Sequence, residues 1–375
     1  MWLKLTLIII LFTQLMALTS PRRPWKDLQD EVEFDDATPL ADPYDGTSYR
    51  LPNTTVPLAY DISLSTNIHR GDFDFYGRVI IRFEVLETTN EVVVQYRYIN
   101  IQDISILNSN NQLIESSVPF TLNETVEFLI IRPNQQLIKG EQYSVIILYN
   151  GVIRDDGLGW YRASYVNPEG ETVWLSTTQF QATEARHAFP WYFFLYLKIS
   201  PIIFNSNSYD EPGRRSLFTV SIRHDASYTA LSNTPVASRI SVPGTNYVVT
   251  TFEQTLSMQT YLVAFTVSDF VFIEDASAVP PQRIYAKQES IENGDGNMAL
   301  DASLKLMEGY EKYLKIPYSF AKMDQFACPD FLFGGMENWG LAIYFESFLL
   351  FDENIDRTRD HENIVTIISH EFAVS

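Results

Sequence analysis

The sequence is poor in cysteine, in basic residues and in long apolar runs, and each shortage excludes a class of protein. Cys328 is the only cysteine among 375 residues, so no disulfide can form within the chain and the fold must rest on its apolar core. Lys and Arg number 27 against 47 Asp and Glu, a net charge of −20. This balance argues against nucleic acid or an anionic membrane as a partner, because both bind basic faces.

The apolar run at residues 5–16 is too short for a membrane span, which needs about 20 apolar residues. Lys4 precedes the run and small residues follow it, which is the layout of a secretory signal peptide at residues 1–20. Two N-x-S/T sequons predict glycosylation at Asn53 and Asn123 and fit the same route. We therefore expect a location in the secretory pathway or outside the cell.

Composition and patterning indicate a globular chain. Hydrophobic residues make up 46% and aromatic residues 14%, which is typical of folded proteins, and the length allows two domains. Residues 21–48 are rich in Asp, Glu and Pro without periodicity, and we interpret them as a flexible acidic lead-in. From residue 49 apolar and polar residues alternate, as at Val79, Ile81 and Phe83, which predicts strands.

Many short runs of β type with no strong helix between them predict an all-β sandwich or saddle-shaped domain. The runs lie at 60–64, 79–85, 92–99, 126–131, 143–149, 172–176, 218–222, 247–252 and 261–267. Helical periodicity begins only after about Asn297 and ends before Pro317. Its predicted apolar stripe consists of Leu300, Leu304, Met307, Tyr310 and Leu314. A β part followed by an α/β part predicts two domains.

Two motifs near the end of the chain carry the chemistry. G-G-M-E-N-W-G occupies residues 334–340, and His370-Glu371 follows on a segment, 363–373, whose apolar residues recur at helical spacing. A His-Glu pair on a helix is half of the H-E-x-x-H zinc motif, in which both His bind the metal and the Glu is the general base. Alone, such a pair is commonly a chance occurrence; its combination with G-G-M-E-N gives it weight.

With these motifs the chain resembles the zinc aminopeptidases of the membrane alanyl aminopeptidase family, gluzincins whose signatures are G-A/G-M-E-N and H-E-x-x-H-(x18)-E. The resemblance runs from about Tyr49 to Ala373. It includes T-Q-F-Q-A-T-E-A-R at 178–186, Y-D-E-P at 209–212 and P-D-F at 329–331. It implies an N-terminal all-β domain at 49–259, followed at 260–375 by the first part of a thermolysin-like catalytic domain.

The resemblance also implies the residues that bind a peptide substrate. Glu337 and Gln181 would hold its α-ammonium group, since a carboxylate forms charge-assisted hydrogen bonds that a partly dry pocket strengthens. Gly335 and Met336 would line the extended substrate. Gly335 stands where Ala is commoner in the family, and we expect this difference to have little effect on the identity of the match. The alternatives are a solvated strand carboxylate for Glu337 and a loop amide for Gln181; the surrounding motifs favour the functional interpretation.

For the metal, the resemblance implies His370 as a zinc ligand and Glu371 as the general base. Such a site uses three protein ligands, but the position of the second His is Val374 and the downstream Glu of the family lies past Ser375. A single His holds zinc too weakly to activate a water molecule. The implied parent function is zinc-dependent removal of N-terminal residues from peptides. We expect this chain to hold no stoichiometric zinc and to be inactive.

An apolar insertion at residues 191–208 interrupts what resembles the family stretch A-F-P-C-[FY]-D-E-P, whose two flanks are intact. We hypothesise that it is translated intron. A Cys codon split as TG and C would yield Trp191 where an intron begins with G, and Ser208 where it ends in AG. A GTAAGT or GTGAGT donor would likewise encode Val374-Ser375. The alternative is a natural loop insertion in a short fragment.

Two other interpretations of the chain as a whole stay open. One is a non-catalytic secreted relative that binds peptides with its β domain and a half-formed groove. The other is a non-folding fragment, because part of a catalytic domain would leave the helix at 363–373 without neighbours to bury its apolar stripe. Membrane attachment also stays open: family members are often anchored, some by a C-terminal lipid signal, and this chain would be secreted with a cleaved signal peptide and tethered with an uncleaved one. We expect Cys328 to be a buried small hydrophobe and not a nucleophile.

Overall fold

A computed structural model describes residues 51–192 and 215–374. The predicted signal peptide at 1–20, the acidic lead-in at 21–48 and residues 193–208 of the predicted insertion lie outside the described residues. Trp191 and Tyr192, at the start of that insertion, are buried in the β domain. The Trp191 backbone exchanges two hydrogen bonds with Gln95, and the Tyr192 N–H donates to the Tyr60 hydroxyl at 3.1 Å.

Twenty strands and three α-helices form within the described residues. The strands are β1 Thr55–Asn67, β2 Asp72–Val85, β3 Val92–Gln95, β4 Ile99–Asn108, β5 Leu113–Glu115, β6 Phe120–Asn123, β7 Phe128–Ile131, β8 Gln142–Val152, β9 Gly159–Val166, β10 Thr172–Gln179, β11 Leu217–Asp225, β12 Thr229–Ser232, β13 Val236–Ser241, β14 Tyr247–Phe252, β15 Phe265–Ser268, β16 Val271–Asp275, β17 Gln282–Ala286, β18 Met323–Cys328, β19 Gly335–Met336 and β20 Leu341–Phe345. The α-helices are α1 Gln288–Asn293, α2 Asn297–Leu314 and α3 Thr358–Val374.

The largest sheet has eight strands in the order β13-β14-β11-β1-β2-β8-β4-β5. Neighbouring strands pair antiparallel, except that β1 and β11 run parallel. Val79, Ile81 and Phe83 on β2 are fully buried, whereas Arg82 between them is exposed. Because successive side chains of a strand point to opposite faces, this sheet has one face in the core, as the alternating pattern predicted.

A four-stranded sheet, β12-β15-β10-β9, and a three-stranded sheet, β3-β7-β6, complete the β-rich part. Trp160 on β9 joins the large sheet to the four-stranded one. Its ring centroid lies 4.9 Å from that of Phe75 on β2 and 5.3 Å from that of Phe265 on β15. Such aromatic contacts bury large apolar areas. Membership in the four-stranded sheet extends to Ser268, past the junction of residues 259 and 260 that the resemblance implies.

The fourth sheet is a five-stranded mixed sheet in the order β16-β17-β18-β20-β19. Strands β17, β18 and β20 run parallel, and β16 and β19 are antiparallel edges. Helices α1 and α2 form the crossover from β17 to β18, as a parallel pair requires. An all-β domain followed by the start of an α/β domain is the fold class that the sequence predicted, and the structure confirms it.

Helix α2 begins at the predicted residue, Asn297, and its predicted stripe is buried only in part: Met307 lies in the core, with Leu300 and Tyr310 partly buried against it. The buried side chains are Ala299, Ser303 and Met307, whereas Leu314 of the predicted stripe is 43% exposed. Ser303 can lie inside because its hydroxyl donates to the Ala299 carbonyl at 2.6 Å and accepts from the Gln325 amide at 2.8 Å. Small, hydrogen-bonded side chains let the helix approach the sheet more closely than a leucine stripe would allow.

Helix α3 buries its apolar stripe within the chain. Ile364, Ile367, Ile368 and Phe372 pack in one cluster with Ala299 and Met307 of α2 and with the sheet residues Ala286, Ala342 and Tyr344. The expectation that this stripe would lack neighbours was therefore wrong. The five strands and α2 already supply the apolar surface that an amphipathic helix needs.

Candidate active site

The G-G-M-E-N segment forms the edge of the five-stranded sheet. Gly335 and Met336 make up β19, in register with Tyr344 and Ile343 of β20. The Met336 side chain is 1% exposed and lies in a cluster that joins the five-stranded sheet to Tyr161 and other residues of the four-stranded sheet. This side chain is part of the core, so Met336 has only its backbone to offer a substrate. Glu337, the next residue, is half-buried.

Gly335 lies directly against Glu371 of α3. A Cβ atom at Gly335 would lie 2.5 Å from the Glu371 Oε1 atom and 2.9 Å from its Cγ atom, distances that real Cβ contacts do not show. The missing side chain of Gly335 thus creates the space that the Glu371 carboxyl occupies. The structure brings the two predicted motifs into contact, edge strand against helix.

Burial makes Glu371 a weak acid. Its side chain is 3% exposed, and this burial, with the charge of nearby Glu337, raises its pKa from 4.5 to about 8. The fully buried Tyr344 hydroxyl also lies within the field of Glu371, which adds to the burial that raises the tyrosine pKa. A carboxyl whose pKa lies close to neutral can both take and return a proton near pH 7, which general acid–base chemistry requires.

The metal-binding half of the motif is incomplete. His370 is exposed on α3, and Val374, one helical turn further and 39% exposed, has a hydrocarbon side chain at the second His position. Among residues 51–192 and 215–374, no three His, Cys, Asp or Glu side chains stand together in a metal-binding group. The residues present do not fit a zinc site, which takes three protein ligands and water.

Gln181 comes from a different element than this cluster. It is exposed and follows β10, two residues after Gln179 ends the strand. No hydrogen bond connects Gln181 to Glu337 or Glu371 within the described part of the chain. The structure brings Gly335, Glu337 and Glu371 together and places His370 beside Glu371 on α3, whereas Gln181 follows a strand of the neighbouring four-stranded sheet.

The remaining predicted positions lie away from the edge strand. Asn53 is exposed before β1, and Asn123 ends β6, where its Oδ1 atom accepts the N–H of Thr125 at 3.2 Å. Glycosylation at both stays a prediction. Cys328 is fully buried, and burial raises its pKa to about 12. At neutral pH it is a thiol inside the core, as predicted, and not a nucleophile.

One functional candidate was missed at the sequence level. Asn233, buried after β12, hydrogen-bonds the backbone of Trp339 at the end of the G-G-M-E-N-W-G stretch. Nothing in its local sequence, S-N-T-P, marks it, because its partner is 106 positions away. Only the packing of the two domains brings the residues together.

Fold and site first define a class: an all-β domain joined to the beginning of a peptidase domain. The Peptidase M1 N-terminal domain matches residues 56–192 and 206–262, and the Peptidase family M1 domain matches residues 298–375. The chain belongs to the M1 peptidase family.

Its relatives include three vertebrate aminopeptidases. Aminopeptidase N of Oryctolagus cuniculus is 33% identical over 338 residues, 87% of this chain and 33% of the relative. Endoplasmic reticulum aminopeptidase 1 of Rattus norvegicus is 31% identical over 329 residues, 86% of this chain and 33% of the relative. Aminopeptidase Ey of Gallus gallus is 31% identical over 335 residues, with 87% and 33% covered.

The chain thus spans about a third of the length of the curated relatives it matches. Within the described ranges, no helix has the length and apolar character needed to cross a membrane.

Proposed function

We propose that this chain carries the substrate-recognition part of a zinc aminopeptidase, which removes N-terminal residues from peptides by metal-activated water. The observation that carries the proposal is the contact between Gly335 on the edge strand and Glu371 on α3, beside Glu337. It holds an acidic group suited to bind an ammonium next to a carboxyl suited to exchange protons. Family membership and the aminopeptidase relatives support the same interpretation.

Each residue has a role in this proposal. Strand β19 is an edge, so its free backbone groups can pair with an extended peptide as an added strand. The Glu337 carboxylate binds the peptide's α-ammonium through charge-assisted hydrogen bonds, and the Gln181 side-chain oxygen accepts a further one. Glu371 takes a proton from the attacking water at its carboxylate and returns it to the leaving amine.

The metal is the part that this chain leaves incomplete. The family resemblance implies zinc with His370 as one ligand, and bound zinc would lower the pKa of water. Val374 cannot coordinate, so we propose that the 375-residue chain holds no stoichiometric zinc and does not cleave peptides.

Metal analysis after equilibration with zinc, with an aminoacyl-nitroanilide assay, tests this; one zinc per chain would overturn it. A sharper test uses Val374→His, which places two imidazoles one helical turn apart. We expect this variant to bind zinc more tightly than the natural chain. Val374→Ala and the double variant His370→Ala/Val374→His should not. Equal binding by all four proteins would mean that His370 does not face the Val374 side of α3.

A second function, that of a secreted, non-catalytic peptide binder, is favoured because Val374 cannot coordinate a metal. Both functions require that the chain prefer a peptide with a free N-terminus. The sequence of the spliced transcript distinguishes them. A Cys codon that joins Pro190 to Tyr209, with a His codon after Ala373, would support the peptidase. A transcript that encodes this chain as printed would support the binder. Passage through the secretory pathway is part of both proposals; attachment to a membrane stays a prediction.

A further inference from the structure

Three neighbouring residues fix the turn between β19 and β20 through contacts with Gly340. Gly340 has a φ of +76°, and a Cβ atom there would lie 2.0 Å from the backbone oxygen of Asn233, so only glycine fits. The Gly340 N–H donates to the Tyr318 hydroxyl at 3.0 Å. Its carbonyl accepts from the Lys322 ammonium at 2.6 Å. This turn begins two residues after Glu337, so whatever fixes it also fixes the end of the edge strand.

Asn233, in the β domain, fixes this turn through hydrogen bonds of its side chain. The residue is 0% exposed, and its side-chain amide donates to the carbonyls of Leu262 and Trp339, both at 2.8 Å. Its Oδ1 atom accepts the N–H of Ala264 at 2.9 Å. Both N–H groups and the oxygen of this amide are therefore engaged, which leaves the side chain a single orientation.

Asn233 connects the elements next to the two residues proposed to bind the amine, Gln181 and Glu337. It follows β12 in the sheet ordered β12-β15-β10-β9, and Gln181 follows β10 in the same sheet. Trp339 lies two residues after Glu337. One buried side chain thus connects the sheet from which Gln181 extends to the segment that carries Glu337.

We propose that Asn233 is a positioning residue for amine recognition, which fixes Glu337 relative to Gln181 so that both can bind one ammonium group. This inference rests on the proposed function. Two groups on different sheets can share a small cation only if their separation is constant, and hydrogen bonds hold this geometry only when they are short and buried. The Asn233–Trp339 bond is short, at 2.8 Å, and its donor side chain is fully buried.

The test measures the preference of the 375-residue chain for a free amine. The probes are Ala-Ala-Phe with a C-terminal fluorophore and its N-acetyl form, and the ratio of their affinities is obtained from fluorescence anisotropy. Asn233→Asp keeps the shape and the bond to Ala264 but places a carboxylate oxygen against two carbonyls. Ser232→Ala is the matched control, since Ser232 is buried and its hydroxyl donates to the Ala264 carbonyl at 2.9 Å and not to Trp339. All variants are checked for a cooperative thermal melt.

We expect Asn233→Asp to lower the free-amine preference about tenfold, with little change for the acetylated probe, and Ser232→Ala to leave the preference intact. In the Glu337→Gln background, Asn233→Asp should cause no further loss. Equal weakening of both probes, or a full additional loss in that background, would overturn the inference. If Asn233→Asp does not melt cooperatively, Asn233→Ala is measured by the same criteria.

Failure of the underlying function has a different signature. If the natural chain shows no preference, or if Glu337→Gln does not reduce it, the proposed amine site is wrong and the inference about Asn233 fails with it. If Glu337→Gln abolishes the preference and Asn233→Asp leaves it intact, the amine site stands and only the positioning role is refuted.

Discussion

Replacing Glu371 by Gln should stabilise the metal-free chain at alkaline pH and have little effect at acid pH. In the folded chain the Glu371 pKa is about 8, against an ordinary value of 4.5 in the unfolded chain. Between these values the folded state keeps a proton that the unfolded state releases. The folded state therefore binds more protons, and its stability falls as pH rises through this window. The contribution of the neutral carboxyl is complete below pH 4.5 and is lost as pH rises toward 8.

The magnitude follows from the separation of the two pKa values. About 3.5 pH units at about 1.4 kcal/mol per unit corresponds to roughly 5 kcal/mol as an upper limit. Because Gln is neutral at every pH, the difference in unfolding free energy between variant and natural chain should grow by about 1 kcal/mol per unit between pH 5 and 8. Contributions from titrating groups that do not interact with Glu371 cancel in this difference.

Urea unfolding followed by tryptophan fluorescence, in EDTA at pH 5, 6, 7 and 8, measures this difference. The control is Glu362→Gln, an exposed position on the same helix, for which the difference should stay flat. A constant difference between the Glu371→Gln chain and the natural chain from pH 5 to 8 would refute the assignment of a buried, protonated carboxyl. Glu337→Gln should reduce the pH dependence in part, since the Glu337 charge is the second cause of the raised pKa.

The other predictions concern one glycine and one buried histidine. Gly335→Ala should destabilise the chain by about 1–3 kcal/mol in urea unfolding, because the new methyl group displaces the carboxyl packed against it. Gly309→Ala, on α2 with open space around it, should instead stabilise it by up to about 1 kcal/mol. Equal effects at both glycines would contradict the packing. Burial and the charge of Arg154 lower the pKa of His187 to about 3, so the unfolded state binds the extra proton and stability falls from pH 6.5 toward 3. His187→Gln should remove about 2–3 kcal/mol of the loss between pH 6.5 and 4, as judged by urea midpoints, while exposed His361→Gln should remove none.

The sequence predicted those features that repeat or that stand in a motif. The nine predicted β runs fall on strands, as on β2, where alternate side chains are buried, but about half of the twenty described strands lay outside those runs. Helical periodicity located the buried face of α2 only in part, because it passed over Ser303, which two hydrogen bonds let lie inside. Hydrophobic periodicity depends only on which residues are apolar. It cannot predict that a polar side chain is buried when its hydrogen-bond partners lie in the core.

The candidate site divides in the same way. The motifs identified Gly335, Glu337 and Glu371, which the structure brings together. Packing adds what no motif shows, since a methyl group at position 335 would meet the Glu371 carboxyl. Asn233 gave no signal at all, since a single buried amide bridging two domains has neither period nor motif.

Gly335 and Gly340, the two outer glycines of G-M-E-N-W-G, explain how this short edge of the sheet can be held rigidly and still be accessible to a peptide. Side chains alternate along an extended strand, so with Met336 turned into the core, Gly335 and Glu337 share the opposite side, where Glu371 lies. The pKa of Glu371 responds to Glu337, as that arrangement requires. Gly335 is needed because a carboxyl fills its space, and Gly340 because a backbone carbonyl does. A side chain at Gly335 should therefore disturb the acid–base group and one at Gly340 should disturb the hold on Glu337, so their effects on proton exchange and on amine binding should be separable.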